Sequence, residues 1–316
     1  METNKIYNES CLDTLNKMPD NYIDCVITSP PYWQLRDYGY NGQWGLEHTF
    51  KDYLEHLWSM MDEVYRVLKP NGTCWINLGD SYSTQSGTNL ALNKGTYIKY
   101  KSTYLTNRGN SGSLIKDKSL PNKCLLLIPH RFAIGCIDRG WILRNDCIWA
   151  KRNSMPESVT DRFSKKHEYM FFMVKNEKYY FDLDIIKDST ITQDTNVRDR
   201  DTTKLNNTPG RSKMGGLKEN NYSSKNPGDV SDFWDIPTKP NKIRHYATYN
   251  DSLLVKPILA GCPKGGIIYD PFMGTGSTAE AALRSGRKYI GSEMSKEYCD
   301  IAEKRLEPFI LQLELF

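Results

Sequence analysis

One nine-residue segment, Asp270-Pro271-Phe272-Met273-Gly274-Thr275-Gly276-Ser277-Thr278, constrains this chain more than any other feature. It follows Gly266–Tyr269, which reads as a strand, and opens Ser277–Ser285, which reads as a helix. Glycines at such a junction let the backbone turn tightly and a nucleotide lie close to the helix N-terminus. Glu293 ends the next expected strand, Lys288–Glu293, 17 residues beyond Gly276. A carboxylate placed there accepts hydrogen bonds from ribose hydroxyls. Only 40 of the 316 residues follow Gly276, so most of the sheet this unit joins must come from earlier sequence.

That earlier sequence alternates strands with helices. Tyr22–Thr28, Thr73–Leu78, Trp141–Trp149 and His167–Val174 read as strands. Asp52–Leu68 has Leu54, Leu57, Trp58, Met61, Val64, Tyr65 and Leu68 at helical spacing, with Pro70-Asn71-Gly72 as its expected stop. Ile128–Arg139, Asp251–Ala260 and Lys296–Leu306 complete the expected helices. The pattern predicts an α/β fold with a mostly parallel sheet and helices on both faces. No apolar run approaches the roughly 18 residues of a membrane span, and the polar Met1-Glu2-Thr3-Asn4-Lys5 lacks a signal core. Membrane and export readings are excluded on that basis. The eight cysteines form no Cys-x-x-Cys pair and the five histidines are scattered, so no metal is expected. All eight cysteines read as small buried hydrophobes.

Net charge is only +4, unevenly spread. Thr84–Lys123 holds seven basic residues against Asp117 alone, a net of +6, with Tyr97, Tyr100 and Tyr104 interleaved. Ile186–Pro227 carries +3, which leaves −5 for the rest. An acidic body thus bears two basic polar insertions, and lysines mixed with aromatics fit a polyanion whose bases offer faces for stacking.

The glycine segment is not a phosphate-binding P-loop, because no Lys-Ser or Lys-Thr follows the glycines. A dinucleotide site fits Gly274-x-Gly276-x-x-Ala279, but Asp270 would repel a pyrophosphate. The same charge suits the cationic amino group of S-adenosylmethionine. A second motif, Thr28-Ser29-Pro30-Pro31-Tyr32-Trp33, leaves the carboxyl end of the first clear strand, where open α/β sheets bind ligands. Proline lacks an N–H and stiffens its backbone, which makes the Pro30 carbonyl a fixed acceptor. The Ser29 hydroxyl adds a second acceptor and Tyr32 an aromatic face. Together they suit a planar amino group, stacked and held by its hydrogens, whose lone pair attacks a sulfonium methyl.

The two motifs in this order resemble the S-adenosylmethionine-dependent DNA amino-methyltransferases of the β arrangement, in which the catalytic half precedes target recognition and the cofactor half comes last. The resemblance extends through Trp33-x-Leu35-Arg36-Asp37-Tyr38-Gly39, Asn77-Leu78-Gly79-Asp80-Ser81, Trp149-x-Lys151, Met155-Pro156-Glu157-Ser158 and Trp234-Asp235-Ile236-Pro237. It implies a permuted Rossmann-like methyltransferase fold with a mostly parallel seven-stranded sheet. The implied divisions are a catalytic half at 1–83 and 124–185, a basic flexible insertion at 84–123, a target-recognition insertion at 186–227 and a cofactor half at 228–316. Ser29, Pro30, Pro31 and Tyr32 match the catalytic tetrapeptide. Asp270, Pro271, Phe272, Gly274, Gly276, Ser277 and Thr278 match the cofactor loop, and Glu293 the ribose acid. Ala247-Thr248-Tyr249 resembles the segment closing over the cofactor, although Asn250 stands where a proline is usual. Ser10 occupies a place where the family often has an adenine-binding Asp. Trp149 and Lys151 fall where a base pocket is expected, although a Trp at a strand end is more often core.

Methylating carbon 5 of cytosine needs a cysteine nucleophile, within a Pro-Cys pair in related enzymes, and no such dipeptide occurs here. The implied acceptor is an exocyclic nitrogen of a base flipped from double-stranded DNA, with stacking on Tyr32 and on Trp33. Ser29 favours cytosine N4; adenine N6 is the alternative, and a protein-glutamine or RNA amino-methyltransferase or a non-catalytic DNA-binding module stands further off. Arg198, Arg200 and Arg211 are candidate contacts to guanine edges or phosphates. The family further implies a cytoplasmic protein of bacterial or phage origin, monomeric or homodimeric, with a cognate restriction endonuclease as partner.

Overall fold

The segment Ile23–Thr28 (β2) is buried at every residue, which demands cover on both faces of its sheet. The computed structural model describes residues 1–39, 42–83, 120–154, 157–187, 230–238 and 251–313. The chain divides into one unit of Met1–Asp182 with Asp232–Phe316 and a second of Leu183–Ser231. The described part of the second contains a single 3-10 turn at Asp184–Ile186. The two polar insertions, the three arginines proposed within them, and Ala247 and Thr248 lie wholly or largely outside the described residues.

In the larger unit β2 joins β1 (Lys5–Tyr7), β3 (Leu68–Leu78), β4 (Ile142–Ala150), β5 (His167–Val174), β6 (Phe233–Asp235), β7 (Ile267–Asp270) and β8 (Lys288–Ser292). Their order is β1-β8-β7-β2-β3-β5-β4-β6. Pairing is parallel except where β5 runs against β3 and β4. The sheet therefore has eight strands, not seven. Lys5–Tyr7 and Phe233–Asp235, three residues each, are too short for any periodicity to register.

Side-chain alternation divides the core. Val26, Cys74 and Ile76 face one layer with α1 (Cys11–Lys17), α2 (Phe50–Val67) and α3 (Ile128–Asp138). Cys25, Ile27 and Trp75 face the other, with α4 (Asp251–Gly261), α5 (Ser277–Arg284) and α6 (Lys296–Leu313). Trp75 and Phe172, directly opposite across β3 and β5, stack with centroids 4.1 Å apart. Seven of the eight cysteines are buried as expected, and Cys124 is half-buried.

Local chemistry sets the ends of the helices. The Thr49 side chain accepts from the Asp52 amide at 3.1 Å to start α2. Pro70-Asn71-Gly72 does not stop it: α2 ends at Val67, and these residues lie within β3. There they form an irregularity, because two steps along β2, Ile23 to Cys25, match five along β3, Leu68 to Thr73. Tandem turn residues punctuate a strand register as readily as a helix.

β2 and β7 are neighbours although 242 residues separate Thr28 from Asp270. From β7 the chain continues outward to β8, and from β2 it continues in the opposite direction to β3. Ligands of open α/β sheets bind at such a reversal, outside the carboxyl ends of the strands.

Candidate active site

Both sequence motifs reach that place. Ser29–Tyr32 leaves β2, Pro271–Thr275 leaves β7, Glu293 follows β8 and Ser10 follows β1; all line one cavity of about 610 Å³. Asn77 near the end of β3 and Lys151 just past β4 complete the rim. Glu168 also lines it, from the beginning of β5, because β5 is reversed and starts where the other strands finish.

The Ser29–Tyr32 segment is held from several sides. Tyr53, fully buried on α2, donates to the Pro31 carbonyl at 2.8 Å, and the Leu35 amide donates to the Tyr32 carbonyl at 3.2 Å. Among the described residues the Pro30 carbonyl receives no hydrogen bond. Ser29 donates its hydroxyl hydrogen to Asn77 Oδ1 at 3.3 Å, which leaves its lone pairs as acceptors. The Asn77 orientation is fixed by its amide, which donates to the Tyr169 carbonyl at 2.9 Å.

The Tyr32 hydroxyl has one proton and two acceptors, Glu168 Oε2 at 2.7 Å and Asn77 Oδ1 at 3.0 Å. Glu168 also pairs with Lys151, each side chain only about one-sixth exposed at 16% and 17%. The Lys151 ammonium lies 4.1 Å from the Trp149 ring centre. Trp149 is 6% exposed, belongs to the core and donates to the Ile236 carbonyl at 2.8 Å, yet it also lines the cavity. Gly79 makes room for Tyr32: a Cβ there would sit 2.7 Å from Tyr32 Cε2. Trp33 is not part of the cavity wall; it packs edge-on against Phe50 at 6.2 Å and donates to the Glu47 carbonyl. The stacking role expected of Trp33 is therefore replaced by a core role.

The glycine segment forms the opposite wall. Gly276 has φ +86° and caps α5, where a Cβ would approach Ala302 Cβ to 3.0 Å. Glu293 accepts from the Gly274 amide at 2.9 Å and the Ser295 amide at 2.8 Å. Burial raises its pKa, an effect that the Ser295 and Gly274 amides oppose. Ser277 accepts from Arg305 at 2.9 Å. Phe272 meets Trp44 edge-on at 5.4 Å, and Trp44 stacks on His56, which ties the β2–α2 loop to the cofactor-type loop.

Asp270 and Ser10 also have structural partners. Asp270 is 1% exposed and faces inward, accepting from Thr28 at 2.6 Å, Thr278 at 2.5 Å and the Phe272 amide at 3.0 Å. It lies behind the cavity wall instead of in it, as does Thr278, so its charge acts on the cavity from a distance. Burial pushes its pKa up to about 6. Ser10 lines the cavity but caps α1, accepting from the Asp13 amide at 3.2 Å and donating to Asp13 Oδ2 at 2.6 Å. Asn77, Glu168 and Trp44 were not singled out as site residues by the sequence. A carboxylate beginning the apolar run Tyr169–Val174 was the available signal for Glu168. Among the described residues no His, Cys, Asp and Glu cluster fits a metal, and no helix is long and apolar enough to cross a membrane.

A DNA methylase family profile matches residues 23–304, which includes both walls of the cavity. The chain belongs to the N6/N4 DNA methylase family. Relatives of the methylase include the type II methyltransferase M.Cfr9I of Citrobacter freundii, 33% identical over 304 residues that cover 96% of this chain and 87% of that one. M.SmaI of Serratia marcescens is 32% identical over 305 residues, covering 96% and 90%. Two solved structures share the fold. A putative DNA modification methylase of Thermus thermophilus, complexed with S-adenosyl-L-methionine, superposes with a TM-score of 0.59 at 19% identity, covering 96% of this chain and 93% of that one. The PvuII DNA methyltransferase (cytosine-N4-specific) superposes at 0.61 and 17%, covering 96% and 86%.

Two outcomes follow from this geometry. Gly79→Ala displaces the Tyr32 ring, and single-turnover methyl transfer is expected to fall by roughly 10²-fold with little change in the urea unfolding midpoint. The second concerns Asp270, whose folded pKa of about 6 stands above its ordinary 3.8. The folded state therefore holds the proton longer, so the stability contributed by Asp270 is full below pH 3.8 and is lost as pH rises to about 6. Asp270→Asn keeps the neutral form's hydrogen bonds, with the Thr278 hydroxyl turned to accept. Unfolding free energies from urea titrations across pH 4–7 should show the variant gaining on the wild type up to about pH 6, by at most about 3 kcal/mol.

Proposed function

We propose that this methylase transfers a methyl group from S-adenosylmethionine to the exocyclic N4 of a cytosine flipped out of double-stranded DNA. The observation that carries the reading is the meeting of Ser29–Tyr32 and Pro271–Thr275 in one cavity. The donor set suits the cofactor: a carboxylate at Glu293 for ribose hydroxyls, the Phe272 ring, close backbone at Gly274, and the buried negative charge of Asp270 behind the loop. S-adenosylmethionine bound there would supply a sulfonium methyl to the amino nitrogen, the sulfur keeping the bond pair and the nitrogen losing one proton to solvent water.

The protein's part is orientation. Ser29 Oγ and the Pro30 carbonyl accept the two hydrogens of the target amino group, which keeps the nitrogen lone pair aimed at the methyl. Tyr32, held by Glu168, Asn77 and the space above Gly79, offers the ring on which the base stacks. Lys151, paired with Glu168, stands as a donor for the ring acceptors of the base. The 1–83 and 124–185 segments act as the catalytic half and 228–316 as the cofactor half, with target recognition assigned to 186–227 and a DNA-clasping role to 84–123. Ala247 and Thr248 are proposed to close over the cofactor, and Ser10 to border its adenine. Ser29 at the head of the tetrapeptide supports cytosine over adenine. Relatives named as type II methyltransferases support a cellular role beside a cognate restriction endonuclease, inside a bacterial or phage-infected cell.

Mass spectrometry of nucleosides from a methylation-deficient host expressing the protein should show N4-methylcytosine. N6-methyladenine would transfer the same mechanism to adenine and overturn the base assignment; neither product would move the substrate away from DNA. Tyr32→Ala should abolish most methyl transfer while S-adenosylmethionine binding by calorimetry is retained. Unaltered transfer would refute the stacking role.

A further inference from the structure

Neither motif accounts for the loop between β4 and β5. It leaves the cavity wall at Lys151 and returns to it at Glu168, closed at its base by the Lys151 amide donating to the Lys166 carbonyl at 2.7 Å. Within it Phe163 is 96% exposed, the highest value among the large hydrophobic side chains of the described residues. Next come Ile134 and Phe233, at 59% and 56%.

The loop around Phe163 is fastened. Arg162 donates to the Phe163 carbonyl at 3.0 Å and to Glu157 at 2.6 Å, and its guanidinium lies 4.1 Å from the Tyr82 ring centre. Asp161 pairs with Lys123 at 2.5 Å. Lys165 donates to the Asp80 carbonyl, and Lys166 to the Ser154 carbonyl at 3.0 Å. The backbone is thus tied on both sides of a phenyl ring that is left in water, an unfavourable place for it. A ring held out in this way fits a partner with an apolar face to receive it.

Charge identifies that partner. From Lys151 to Glu168 the segment carries five basic side chains, Lys151, Arg152, Arg162, Lys165 and Lys166, against Glu157, Asp161 and Glu168, a net of +2. A net positive loop that springs from the cavity wall at both ends and holds an aromatic ring out in solvent matches a nucleic acid, which offers phosphates to the cations. A duplex that has released one nucleotide from its stack also exposes two base faces with a gap between them. Apolar side chains, phenylalanine among them, enter such steps.

We infer that Phe163 is a wedge that enters the duplex and fills the gap left by the flipped target nucleotide. The inference rests on the DNA reading proposed above and adds to it a side chain for the unstacking step, which neither cavity wall provides. Arg152 and Lys166, the exposed basic side chains of the loop, seat it against the flanking phosphates, and its two ends at Lys151 and Glu168 spring from the pocket that receives the base.

The test compares wild type, Phe163→Ala and Phe163→Trp on two duplexes containing the site mapped by sequencing methylated host DNA. In one duplex the target base is paired, and in the other it faces a mismatch, which already lowers the cost of opening. Phe163→Ala should methylate the paired duplex roughly tenfold to a hundredfold more slowly and the mismatched duplex at close to the wild-type rate. Phe163→Trp should restore the paired rate, and S-adenosylmethionine binding and thermal midpoint should stay unchanged in both variants. No loss on either duplex, or an equal loss on both, overturns the wedge. Failure of the wild type to methylate the paired duplex is a different result and counts against the DNA reading itself.

Discussion

The hydrogen bond between Thr28 and Asp270, 2.6 Å long and fully buried, joins the last residues of two neighbouring strands that lie 242 residues apart in the chain. One strand leads into Ser29–Tyr32 and the other into the glycine loop, so this contact sets the distance between the two walls of the cavity. Asp270 also accepts from Thr278 and from the Phe272 amide, so one carboxylate fixes the strand, the loop and the first turn of α5 together. Burying that carboxylate is costly, as its raised pKa records. Three donors offset the cost only in part, and a neutral side chain would hold the same elements with less loss of stability. The carboxylate stands directly behind the loop that forms one wall of the cavity.

Much of this arrangement is legible in the order of the amino acids alone. The glycine segment, its flanking strands and the distant Ser29–Tyr32 motif point to a permuted α/β sheet, because each signal is long and chemically specific. Other features escape for physical reasons. Three-residue strands such as Lys5–Tyr7 show no period. Pro70-Asn71-Gly72 marks a break whose kind depends on the partner strand, which lies 45 residues earlier at Asp24–Cys25. The part played by Glu168 depends on the direction of β5, and a buried apolar run such as Tyr169–Val174 looks the same in a parallel and an antiparallel strand. Trp33 illustrates the reverse error. It follows Tyr32 directly, but adjacent side chains leave a chain on different sides, and one reaches the cavity while the other enters the core.

Glu168 shows how the site is supported as well as assembled. It holds the Tyr32 hydroxyl and the Lys151 ammonium at once, while Asn77 holds both Tyr32 and Ser29. Three strands, β3, β4 and β5, thereby contribute to the placing of one aromatic ring. Such mutual fixing is what reduces the freedom a reacting group must surrender at the moment of transfer.

The reversal of β5 has a consequence for how such a protein can vary. Parallel neighbours are joined by long crossovers with their own packed helices, so altering those links disturbs a core layer. An antiparallel pair needs no such crossover, and β4 and β5 are joined at the cavity end of the sheet by a link of sixteen residues without a helix between them among the described residues. Residues 152–166 can therefore lengthen, shorten or exchange side chains without moving a helix. The cofactor half and the Ser29–Tyr32 segment have no such latitude. One edge of the site is thus free to change in length and surface while the two packed layers beneath it stay as they are.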